Sequence, residues 1–168
     1  MTETAVHVRI DEAGRPRSAS AEARIEQPPD RVWAVVSDVA RYAERIPMIH
    51  RVRVEGDRVT VDLKFRVTLL SVGFQFVAVV TQEPGRWLEL RGVAGEPRGI
   101  RLRFDLSPLD GGRACTLRSD GEFDVQSLGW LAKYFLRHHP EIEYGIFPGV
   151  ALALVESMRR AAEGAPPR

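Results

Sequence analysis

The chain has 168 residues, 44% hydrophobic and 28% charged, which describes a single globular domain large enough to bury a core of its own. Its 24 basic and 23 acidic residues leave a formal net charge of +1, so no single-sign field implies nucleic acid or an anionic membrane as a partner, and the lone Cys115 excludes an internal disulfide and a multi-cysteine metal site. The start, Met1-Thr-Glu-Thr, lacks the basic and apolar regions of a signal peptide, and no apolar run approaches the roughly 20 residues of a membrane span, so a cytoplasmic protein in at most transient contact with a membrane is expected.

Residues 1–17 read either as an arm or as an extra strand, with Val6, Val8 and Ile10 alternating with His7 and Arg9 before the turn at Gly14. The domain proper is placed at 18–163. Its first strand runs from Ser18 to Gln27, with Ala19, Ala21, Ala23 and Ile25 on one face. Pro28-Pro29-Asp30 ends that strand and starts a helix carrying Val32, Trp33 and Val36. Ser37-Asp38 can break it and cap a second short helix with Tyr42, Ala43 and Ile46, which Pro47 closes.

Strand-like segments follow, separated by turn signals at Glu55-Gly56-Asp57, Ser71 to Gly73, Glu83-Pro84-Gly85, Gly95 to Gly99 and Asp110-Gly111-Gly112. The clearest alternation places Val59, Val61, Leu63, Phe65 and Val67 on one face, and Thr60, Asp62, Lys64, Arg66 and Thr68 on the other. Phe74, Phe76, Ala78 and Val80, and then Ile100, Leu102, Phe104 and Leu106, repeat the pattern. Short loops joining successive strands imply an antiparallel meander with one dry face.

After Val125 the period changes to three and four, in Leu128, Leu131, Ala132 and Phe135 and again in Ile146, Val150, Leu154 and Met158. Pro140 and Pro148 interrupt these stripes. The expectation is a helix, a break near Pro140, and a second helix kinked or beginning near Pro148, with a frayed tail at 164–168.

Strand, two short helices, six-strand meander and long C-terminal helix together resemble the α+β helix-grip fold of the START and Bet v 1-like superfamily. Ile25-Glu-Gln-Pro-Pro-Asp-Arg-Val-Trp33 with Ser37-Asp38 is similar to that family's opening motif, and Phe104 to Gly112 to its late hairpin. The closest resemblance is to the polyketide cyclase/dehydrase and coenzyme Q-binding branch. It implies a curved sheet wrapped around the C-terminal helix and, where a cavity remains between them, lipid, quinone or polyketide-like ligands. Fold by itself does not assign which.

Parity gives the candidate lining. His50, Val52 and Val54, then Leu63, Phe65, Phe74, Phe76, Leu88, Leu102, Phe104, Leu117 and Ser119 should face the helix, and Leu131 and Phe135 should face back. His50, which the resemblance puts near the pocket mouth, is a candidate ligand contact or acid/base, and Tyr42 is a candidate hydroxyl donor. Arg66 should point outward, leaving the cavity without arginine unless a bulge reverses the register. His138 and His139 are adjacent, so their side chains diverge on a helix, which argues against a metal pair. No cofactor motif is present. The reading favours a carrier of an apolar small molecule; a polyketide cyclase, aromatase or dehydratase using the same cavity, or a partner protein with a collapsed cavity, are the alternatives.

Overall fold

The computed structural model describes residues 4–67 and 70–164. Within them the chain opens with β1 (Thr4–Ile10) and β2 (Pro16–Ile25), then α1 (Pro29–Val36) and α2 (Tyr42–Arg45), joined by a 3-10 turn at Val39–Arg41. A meander follows: β3 (Ile49–Glu55), β4 (Arg58–Val67), β5 (Leu70–Glu83), β6 (Trp87–Gly95), β7 (Arg101–Leu109) and β8 (Ala114–Glu122). Helices α3 (Trp130–His138) and α4 (Pro140–Glu163) complete the described chain. The strands form one sheet in the order β1-β2-β8-β7-β6-β5-β4-β3, every neighbouring pair antiparallel. The N-terminal segment is therefore an edge strand, and the tail at 165–168 lies outside the described residues.

Local chemistry explains the helical punctuation. Pro29 stands in the first turn of α1, where its missing N–H has no intrahelical partner to lose, and Val32 and Val36, four apart, bury one face. Arg45 of α2 donates to the Val35 carbonyl at 2.8 Å and to Asp38 Oδ2 at 3.0 Å, which ties the two short helices together. Pro140 begins α4 at the break after His138, as its φ preference favours. The helix then runs through Pro148 instead of restarting there. Proline leaves the carbonyl one turn back without its donor, and Tyr144 and Gly145 on that turn are exposed, so water can satisfy it.

The concave face is covered in two ways. The C-terminal half of α4 buries Leu154, Val155, Met158 and Ala162 over β2, whose inward residues Ala19, Ala21 and Ala23 are small enough to let the helix lie close. At the same end α1 and α2 press Tyr42 onto Phe104, ring edge to ring face at 6.1 Å. Toward the opposite end, the described covering residues come from α3, through Leu136, and from the N-terminal half of α4, through Ile142, Ile146 and Val150. On the convex face Glu89 is buried among arginines: Arg91 at 2.8 Å, Arg101 at 2.7 Å and Arg103 at 3.7 Å, the last lying over the Trp87 ring. No helix among the described residues is long and apolar enough to cross a membrane.

Candidate functional site

The loosely covered end holds a partly open cavity of about 190 Å³. Its floor is built from buried residues on neighbouring elements: Leu63 on β4, Leu102 on β7, Gly121 on β8 and Leu154 on α4. Half-buried Phe65, Phe74, Leu136 and Ile146 form the upper wall. Phe123 stacks on Phe147 at 4.7 Å, fixing the N-terminal half of α4 against the sheet beside the cavity.

Register explains where the cavity stops. Leu102 faces Gly121 and Leu63 faces Phe74, and all four line it. Two residues along the same strands, Phe104 faces Ser119 and Val61 faces Phe76, and there the space is filled. A two-residue step is about 6.6 Å, roughly the width of one side chain, so the boundary is sharp. Gly121 contributes room: a Cβ there would meet Leu102 Cδ2 at 3.7 Å and Val150 Cγ1 at 4.0 Å, ordinary contact distances.

Of the residues expected from alternation to line a pocket, Leu63, Phe65, Phe74 and Leu102 border the cavity. Phe76, Leu88, Phe104 and Leu117 correct the expectation: they share the inward face but are completely buried in the solid end. Leu131 and Phe135 lie outside the residues whose side chains are described. Ser119 is inward and fully buried, yet its hydroxyl donates to the Ala151 carbonyl at 2.8 Å, pinning β8 to α4 instead of facing a ligand. Tyr42 is likewise committed. Its hydroxyl donates to the Val36 carbonyl at 2.5 Å, and burial pushes its pKa upward, so it is neither at the cavity nor acidic.

His50 is exposed, contrary to parity. Ile49 pairs with Leu63 and Arg51 with Asp62, so His50 is the extra residue of a β-bulge, and Ile49 takes the inward position. Beyond the bulge Val52 is half-buried and Val54 is exposed on the edge strand.

Arg66 departs from expectation in the other direction. It is exposed, as alternation requires, but it borders the cavity. It stands next to the end of β4, where a long side chain can lean over the sheet margin while keeping its guanidinium wet. Among the described lining residues it is the only one with a polar side chain, and none is acidic. No residue of the described lining offers it a counter-charge.

Sequence reasoning passed over Ile49, Gly121 and Pro97 as lining residues, and it did not assign the α4 stripe of Ile142, Ile146, Val150 and Leu154 to the site. The spacing of four in that stripe was the available signal. His139 pairs with Glu141 at 3.0 Å and His138 packs on Tyr134, which leaves the two histidines engaged separately.

Comparison with known proteins agrees with this fold. A family model described as polyketide cyclase/dehydrase and lipid transport matches residues 16–139. No curated protein matches the sequence. Among solved structures, a START superfamily protein from Mycobacterium smegmatis is 14% identical, with a TM-score of 0.63 over 88% of this chain and 98% of that one. An aromatase/cyclase from Streptomyces sp. R1128 is 17% identical, with a TM-score of 0.60 over 97% of this chain and 94% of that one. A Thermus thermophilus protein is 12% identical, with a TM-score of 0.67 over 86% of this chain and 96% of that one. At these identities the structural likeness establishes the helix-grip fold alone.

Proposed function

The chain belongs to the polyketide cyclase/dehydrase and lipid transport family, and from that premise we propose that it binds and carries an apolar small molecule, a lipid, quinone or polyketide-like compound, in the cavity between sheet and helix. The observation that carries this reading is the wall itself: apolar throughout its described side chains, with one cation, Arg66, at the rim.

Size narrows the ligand. An apolar cavity of about 150 Å³ accommodates benzene, whereas drug-sized ligands occupy pockets of about 300–1,000 Å³. The 190 Å³ here suits one ring or a short branched chain, and a longer molecule would leave its remainder beyond the rim. Burial of each methylene contributes about 0.8 kcal/mol. A carbonyl or carboxylate at the outer end would take hydrogen bonds from Arg66 at the wet margin, which sets orientation without burying a charge.

A second reading, cyclisation or dehydration of a polyketide-like compound, is favoured by the presence of Arg66 at the cavity and by the fold shared with an aromatase/cyclase. A guanidinium can polarise a carbonyl but holds its proton at neutral pH. Proton transfer needs a second group, and His50 and Tyr42 stand away from the described lining. Carriage therefore accounts for more of the geometry. Native mass spectrometry of the purified protein, followed by organic extraction, tests it: a co-purified apolar compound supports the carrier. Turnover of linear polyketide mimics, lost in Arg66→Ala, would instead establish the enzyme.

A further inference from the structure

Helix α3 is two-faced in a way the cavity alone does not require. Leu136 turns inward and lines the cavity, and Leu128, just before the helix, does the same. Trp130, Lys133, Tyr134 and Arg137 occupy positions i, i+3, i+4 and i+7, a single stripe, and all four are exposed. Trp130 is 79% exposed, the largest value among the exposed large hydrophobic residues described, and Tyr134 is 55% exposed, its ring against that of His138 at 4.4 Å. The helix contains no acidic residue, and neither Lys133 nor Arg137 forms an ion pair among the described residues. Exposed carboxylates close to it are Glu96, in the loop beside Gly129, Asp124, whose backbone N–H donates to the Arg98 carbonyl, and Glu141, held by His139. Arg66 and Arg98 are further exposed cations, Arg66 on the cavity rim and Arg98 in the loop that Ser127 joins to the start of α3. In a chain whose total charge is only +1, the outer stripe of α3 itself carries two cations and no carboxylate.

We propose that this face of α3 docks the cavity opening onto the surface of an anionic lipid bilayer. Tryptophan and tyrosine, apolar in body and polar at one tip, suit the headgroup layer better than either water or hydrocarbon. Lysine and arginine between them match the negative surface potential of such a membrane. Area argues against a protein partner for this stripe alone: a nine-residue helix is about 13 Å long and about 10 Å wide, far below the roughly 800 Å² per partner of a stable protein interface. With the opposite side of the same helix forming cavity wall, a docked molecule would pass an apolar ligand between bilayer and cavity without crossing bulk water. That purpose rests on the carrier reading, but the docking is measured without a ligand, so either can fail alone.

The experiment is co-sedimentation of the whole chain with unilamellar vesicles of phosphatidylcholine, with and without about one-third phosphatidylglycerol, alongside tryptophan emission. The expected result is at least tenfold stronger partitioning onto the anionic vesicles, weakening as salt is raised, with a blue shift of emission that is absent in Trp130→Phe. Trp130→Ala/Tyr134→Ala and Lys133→Glu/Arg137→Glu should each lower partitioning tenfold or more while an apolar dye still enters the cavity. Because these side chains are exposed, the variants should stay folded; quenching of the parent's emission by brominated lipid provides a check that needs no variant. Absence of vesicle binding by the parent, equal binding to neutral vesicles, or full binding by both double variants would overturn the proposal.

Discussion

Gly121 on β8 lies directly across from Leu102 on β7, and the missing side chain between them is part of the floor of the cavity. Its backbone is not in the left-handed region, and a Cβ would meet its neighbours at ordinary distances, so the position tolerates a larger residue. Gly121→Val should raise stability by about 0.5–2 kcal/mol, through a less flexible unfolded chain and added apolar burial in the cavity. Chemical denaturation measures it. A loss of stability would mean that the space is not available to a side chain.

Two phenylalanines on the same inward face should respond differently to truncation. Phe104 is fully buried against Tyr42, so Phe104→Ala should cost about 3–5 kcal/mol. Phe65 is half-buried at the cavity wall, and Phe65→Ala should cost only about 1–2 kcal/mol, since less of the ring is removed from water in the parent. Similar costs at both positions would erase the distinction between a solid end and a hollow end.

That distinction marks the limit of what alternation reveals. Parity along β4, β5 and β7 assigned Leu63, Phe65, Phe74 and Leu102 to the inner face, and it assigned Phe76 and Phe104 there equally well. Which inward residues meet a helix and which meet empty space depends on where α1, α2 and α4 cross the sheet, a tertiary fact with no period in the strand. His50 failed for a different reason: one inserted residue between Ile49 and Arg51 reverses parity, and nothing in Ile-His-Arg announces a bulge. Arg66 was assigned the correct, outward face, but its place among the lining residues near the end of its strand was not visible. The meander, short helices and helical C-terminus were legible because each rests on a local signal: alternation, most of the proline and glycine turns, and spacing of three and four. The turn expected at Ser71 to Gly73 instead falls inside β5, and the pairing of β2 with β8, which closes the sheet order, has no local signal.

Arg66 should affect ligand orientation more than folding. Arg66→Ala is expected to lower affinity for an apolar carboxylate about ten- to a hundredfold, in keeping with the ~1.5–3 kcal/mol of a charge-assisted hydrogen bond, while binding of a pure hydrocarbon stays within a few-fold. His50→Ala, at an exposed bulge, should change neither. Isothermal titration with matched ligand pairs separates these cases; equal losses for acid and hydrocarbon would contradict the orienting role.

The buried carboxylate on the convex face makes stability depend on pH. Burial alone raises the pKa of Glu89, but hydrogen bonds from Arg91 and Arg101, with their charges, outweigh it and hold the group below its ordinary 4.5. With the folded value depressed, the stabilisation is fully present above 4.5 and is lost as pH falls through the lower folded value. Glu89→Gln should therefore destabilise by about 1–3 kcal/mol at neutral pH, and its gap to the parent should close in acid. A constant gap across the titration would show that charge plays no part.

The central claim, that the space behind Leu102 and Gly121 is a ligand site, is tested most directly by titrating one apolar fluorescent probe into the parent and into Gly121→Leu, with folding of both verified by circular dichroism. The account predicts saturable binding to the parent with micromolar or tighter affinity and loss of at least tenfold in the filled variant, with its thermal stability retained or raised. Undiminished binding by a folded Gly121→Leu protein would place the ligand elsewhere and contradict it.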